Sequence, residues 1–98
     1  MPLSLNNQLT LLHDLLDEQA IYQTADVDEY KQIKRVVRSL MASGQITNEE
    51  LLQLLPEIYY YGIQGEQSYN LNELISENEH NLDYWKNVIA KVELDEGS

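Results

Sequence analysis

The chain has no cysteine, no phenylalanine, two prolines, four glycines and only six basic residues in 98. Each shortage removes a class of explanation. Without cysteine there is no disulfide, no thiolate nucleophile and no cysteine-ligated zinc, and the composition suits a reducing compartment. The scarcity of Gly and Pro leaves little material for tight turns, which favours helices over a many-stranded sheet. Six Lys and Arg against 17 Asp and Glu give a net charge of −11. That balance argues against general binding to nucleic acid or to anionic lipid, because phosphate binding depends on clustered positive charge. It favours a soluble chain that is slow to self-aggregate. The opening MPLSLNNQLT lacks the basic segment and apolar run of a signal peptide. No apolar stretch approaches the roughly 18 residues of a membrane span. The expectation is a cytoplasmic protein without membrane contact.

What remains suffices for one domain over residues 1–98. A chain of this length buries a core without metal or disulfide staples, and its radius of gyration should be roughly 13 Å. Four segments carry helix signals. In the first, about 4–22, Leu5, Leu9, Leu12 and Leu16 recur at spacings of four and three, with Leu11 and Leu15 widening the stripe. Ser4 is its natural N-cap. The second, about 27–43, opens on Asp26 with Glu29 three residues later, the layout of a capping box, and closes on Gly44 at a left-handed C′ position. The third, about 48–61, begins with the capping box Thr47-Asn48-Glu49-Glu50 and carries Leu51, Leu52, Leu54 and Leu55. Pro56 should kink it or start a new turn, because proline lacks the helical donor and clashes with the preceding turn. Gly62 and Gly65 then read as a loop.

The fourth, about 71–92, is the most regular. Asn70 and Glu73 suggest its cap, and Leu71, Ile75, Asn78, Leu82, Trp85, Ile89 and Val92 alternate at four and three, a coiled-coil-like seam with Asn78 as its single polar member. A buried Asn78 would need a partner and could set register; an Asn78 near water at a bundle end would do neither. The tail after Glu93 is polar and should fray. Four helices with short connections predict an all-α, antiparallel up-down four-helix bundle, with helix three interrupted or kinked at Pro56.

Signals for chemistry are thin. Gly44 to Leu51 matches the second half of a calcium-binding EF-hand loop, with Glu50 at the closing ligand position. The first half would place Ser39, Met41 and Ser43 where carboxylates are needed, so a helix end and a capping box explain the stretch. Glu77 and His80 have the Glu-x-x-His spacing of di-iron bundles, but those bundles need two such pairs. His13 and Asp17, one turn apart, would make a flank ion pair or two metal ligands. No nucleophile motif and no phosphate loop is present. No cofactor is implied. The aromatic content is unusual: seven Tyr and one Trp. Tyr59, Tyr60 and Tyr61 stand in a row, so a helix cannot bury all three on one face, and an exposed ring would suit an interface.

The positive charge is concentrated. Lys31, Lys34, Arg35 and Arg38 are four of the six basic residues. At about 100° per residue they share an arc of about 100°, nearly opposite Ile33, Val36, Val37 and Leu40. They therefore form the outward face of a two-faced helix.

The run DEYKQIKRVVRSLM, the earlier LTLLHDLLDEQ and the later EIYYYG give the chain a family resemblance. It resembles the YtzH-like proteins, small chains of Bacillus-type bacteria, over most of its length and most weakly after Gly65. The resemblance implies a bacterial cytosolic protein. It implies no activity and assigns no functional residue.

Together these features favour a non-enzymatic interaction or regulatory module, monomeric or a homodimer joined along the fourth helix, that meets a protein partner. The candidate contact residues are Lys31, Lys34, Arg35 and Arg38 with Tyr59, Tyr60 and Tyr61. An acidic partner would use the basic face. A basic partner would use the larger acidic surface, which at its extreme would imitate nucleic acid. The alternative is a metal protein or enzyme with a site between helices built from His13, Asp17, Glu77 and His80.

Overall fold

The computed structural model describes residues 4–23 and 25–97, with side chains through residue 93. It is all-α among these residues, with five helices where four were expected: α1 (Leu5–Tyr22), α2 (Val27–Ser43), α3 (Glu49–Gln67), α4 (Leu71–Glu77) and α5 (Glu79–Gly97). The radius of gyration is 12.7 Å. α2 packs most extensively on α3, and α1 on α5. Both pairs run antiparallel: Arg38 meets Tyr59 while Lys34 meets Glu66, and Thr10 meets Glu93 while Asp17 meets Lys86.

Local chemistry sets most helix starts. The Ser4 hydroxyl accepts the Asn7 amide at 3.1 Å, and Asp26 accepts the Glu29 amide at 3.0 Å, each satisfying an orphan first-turn donor. Asn70 caps α4 in the same way. At α3 the cap is Asn48, which accepts the Leu51 amide at 2.9 Å, one residue later than the Thr47 capping box predicts. Gly44 ends α2 with φ at +67°, a conformation that glycine adopts without penalty. α5 continues past Glu93 to Gly97, since no breaker intervenes.

Two boundaries differ for physical reasons. α3 runs through Pro56, Gly62 and Gly65 to Gln67. Pro56 leaves the Leu52 carbonyl without its helical donor, but both residues are exposed, so that carbonyl can face water. Gly62 and Gly65 are buried where α2 comes closest. A Cβ on Gly62 would lie 2.5 Å from Lys34 Cγ, and one on Gly65 would fall inside the Tyr30 ring's contact radius. These glycines are packing sites, and tertiary contact overrides their helix cost of about 1 kcal/mol each.

The expected fourth helix is divided at Asn78. Its Nδ2 donates to the Leu74 carbonyl at 2.8 Å and its backbone N–H to Ile75, which closes α4. Its carbonyl accepts the Leu82 amide at 2.8 Å, which opens α5. Asn78 is half-buried, and by bonding to nearby backbone it offers the chain an alternative to an unbroken helix. The apolar seam survives the break: Ile75, Leu82, Trp85, Ile89 and Val92 are all buried.

The core holds one polar chain. Gln19 and Tyr30 are fully buried and Tyr61 nearly so. Tyr61 donates to Gln19 Oε1 at 2.7 Å, so its oxygen accepts from the Tyr30 hydroxyl at 3.0 Å. The tyrosine rings meet edge-on at 5.1 Å, and Trp85 lies 5.5 Å from Tyr61. α1, α2 and α3 are thus tied by hydrogen bonds that α5 covers.

Burial raises both hydroxyl pKa values above the ordinary tyrosine value. The folded chain therefore holds these protons more tightly than the unfolded chain. Their contribution is complete below the unfolded tyrosine pKa of about 10 and is lost as pH climbs above it. Denaturation followed across pH should show an alkaline fall in stability beginning near pH 10. Tyr61→Phe should make that fall shallower and lower stability at pH 7 by about 1–3 kcal/mol, the cost of leaving a buried acceptor unpaired.

Candidate functional site

The His and carboxylate candidates do not converge. His13 Nδ1 lies 3.5 Å from Asp14 Oδ1, and Asp17 is turned to Lys86 Nζ at 3.1 Å across the α1–α5 interface. Glu77 and His80 stand exposed on either side of the α4–α5 break. Among the described residues no group of three or more His, Asp or Glu could hold a metal ion, and His13, Asp17, Glu77 and His80 form no such group. Glu50 accepts the Tyr84 hydroxyl at 2.8 Å, as a first-turn helix residue and not a loop ligand.

The tyrosine row separates as helical spacing requires. Tyr61 faces the core and is unavailable to a partner. Tyr60 is 61% exposed. Tyr59 is half-buried and points to α2, where its hydroxyl accepts from Arg38 Nη2 at 2.7 Å. The Arg38 Cζ also lies over the Tyr59 ring, 5.7 Å from its centroid, so a cation–π contact accompanies the hydrogen bond.

The basic face is where the angular count puts it. Lys31, Arg35 and Arg38 are exposed, and Lys34 is half-buried with Nζ 3.1 Å from Glu66. These four and Glu66 border a shallow depression of about 230 Å³. Among the described residues no carboxylate pairs with Lys31, Arg35 or Arg38. Lys34 differs from its neighbours: its stem lies against Gly62 and its charge is neutralised, so it braces the α2–α3 contact.

A second concavity, about 510 Å³, lies between α3 and the α4–α5 junction. Tyr61 and Trp85 are at its buried side, with Pro56, Tyr60, Asn78 and Asn81 around it. Sequence reasoning missed it because it depends on the break at Asn78. The available signal was the pairing of Pro56 and Tyr60 one turn apart on α3 with Asn78 and Asn81 on the last segment.

The geometry defines an all-α protein with a charge-sorted helix face and without a converged catalytic or metal constellation among the described residues. The family model for YtzH-like proteins matches residues 3–89, extending well past Gly65. The chain is 31% identical to the uncharacterised protein YtzH of Bacillus subtilis over 85 residues, covering 87% of this chain and 91% of that protein. The chain belongs to the YtzH-like family. No solved structure matches it. Among the described residues no helix is long and apolar enough to cross a membrane.

Because Arg35 is exposed and unpaired, Arg35→Glu should leave stability within about 0.5 kcal/mol of the parent chain. Lys34→Glu sets a carboxylate against Glu66 and removes a packed stem. It should cost about 1 kcal/mol or more in urea denaturation.

Proposed function

We propose that this protein is a non-enzymatic interaction module of the bacterial cytosol that binds an acidic protein partner through the outward face of α2. The observation that carries this reading is the sorting of charge. Four of six basic residues share one face, and Lys31, Arg35 and Arg38 pair with no described carboxylate, in a chain with 17 acidic residues. Stability is a weak reason for such a cluster, since exposed ion pairs contribute only about 0–1 kcal/mol each. A concentrated basic face on an otherwise acidic body orients an acidic partner as it approaches and repels it elsewhere. The net charge of −11 disfavours self-association, so the acting species in this reading is the monomer. The buried Tyr61 takes no part, and Tyr59 acts by holding Arg38.

Native capture from the source cells, with mass spectrometry, tests the reading. The parent chain should retain a protein that elutes with rising salt, and the Lys31→Glu/Arg35→Glu/Arg38→Glu variant, folded by circular dichroism, should lose it. Retention of every partner by that variant would show that the basic face is not the contact.

A further inference from the structure

The basic face has an apolar neighbour. Along the outward side of α3, Leu52, Pro56, Tyr59, Ile63 and Glu66 recur at spacings of four, three, four and three, a line of period 3.5 that meets α2 at Tyr59 and Glu66. On α2, Lys31, Lys34, Arg38 and Met41 recur at three, four and three. The lines run side by side and antiparallel, pinned by Lys34 on Glu66 at 3.1 Å and Arg38 on Tyr59 at 2.7 Å. Leu52 is 43% exposed and Met41 40%, while Tyr59 and Ile63 are half-buried. Pro56 is also exposed. The result is a two-railed groove, basic along α2 and apolar along α3.

We infer that this groove receives an amphipathic helix of the acidic partner, with apolar residues on Leu52, Tyr59 and Ile63 and carboxylates towards Lys31, Arg35 and Arg38. The inference rests on the proposed binding of an acidic protein and adds the form of the segment that binds. Period-matched ridges on α2 and α3 suit a third helix, whose anchors fall at i, i+3 or i+4, and i+7. Charge complementarity selects an acidic one: a neutral helix laid there would draw three cations out of water without partners. Lys31 and Arg38 are seven residues apart, roughly 10 Å along the axis. That span matches carboxylates at i, i+3 or i+4, and i+7 on one side of the incoming helix. Glu66 already neutralises Lys34, so the partner's acids have the other three cations to meet.

Fluorescence anisotropy with the full chain tests this. The probe is a labelled peptide of about 14 residues with Leu at i, i+3, i+4 and i+7 and Glu along one flank. A scrambled peptide of identical composition is the control. The periodic peptide should bind at least about tenfold more tightly than the control, and both Leu52→Glu and Arg35→Glu should weaken it about tenfold or more, a loss of about 1.4 kcal/mol each. If the two peptides bind equally and only Arg35→Glu weakens them, the acidic-partner reading stands and the helix-in-groove inference fails. If the periodic peptide does not bind at millimolar concentration while native capture still depends on the basic face, the inference also fails. A concentration-dependent dimer in sedimentation, abolished by Leu52→Glu, would give the groove to a second copy and overturn it. So would binding to phosphatidylserine vesicles that the same substitution abolishes.

Discussion

The contact on which the rest depends is the Tyr30 ring lying against the bare backbone of Gly65. A side chain of any size at 65 would occupy the space the ring fills. One turn earlier, Gly62 admits the stem of Lys34 in the same way. These two close approaches hold α2 and α3 at a separation that larger residues would not allow, and protein interiors tolerate little adjustment at such points. Once Tyr30 is seated, its hydroxyl reaches Tyr61, and Tyr61 reaches Gln19 on α1. A steric notch between two helices thus becomes a hydrogen-bonded tie among three.

The outward surface follows from that seat. With Tyr30, Ile33, Val37 and Leu40 directed inward, Lys31, Arg35 and Arg38 are directed out. With Gly62 and Gly65 against α2, Tyr59 and Glu66 flank the seam and meet Arg38 and Lys34. The two pairs have different work. Lys34 and Glu66 are a part-buried brace. Arg38, anchored by a neutral hydroxyl, keeps its full charge for an incoming carboxylate. A slip of α2 by one turn against α3 would break both pairs and offset the two rails.

Much of this is legible in the chain alone, and the exceptions have a common cause. Ser4, Asp26, Gly44 and Asn70 mark helix ends through bonds to residues within one turn, so local reading recovers them. The outward basic face likewise needs only the angle per residue. Gly62 and Gly65 read locally as breakers, because their partners, Lys34 and Tyr30, lie far away in sequence. Asn78 reads as one polar member of a regular seam, and only its bonds to Leu74 and Ile75 reveal the division into α4 and α5. Three adjacent tyrosines announce that some must be exposed. Which one enters the core is decided by Tyr30 and Gln19, on other helices. The cleft beside Asn78 likewise joins residues of separate segments, with Pro56 and Tyr60 on α3 facing Asn78 and Asn81 at the α4–α5 junction.

The Tyr30–Gly65 contact can be measured directly with a double-mutant cycle in urea denaturation, using Gly65→Ala, Tyr30→Ala and the pair. With Tyr30 present, Gly65→Ala should destabilise by about 1–3 kcal/mol through overpacking. With Tyr30 replaced by Ala, the same change should be neutral or stabilising by up to about 1 kcal/mol, because alanine is the better helix former. The predicted coupling is therefore above about 1 kcal/mol. If Gly65→Ala has the same effect in both backgrounds, the ring does not depend on the missing side chain, and the seat that aligns α2 with α3 is not where this account puts it.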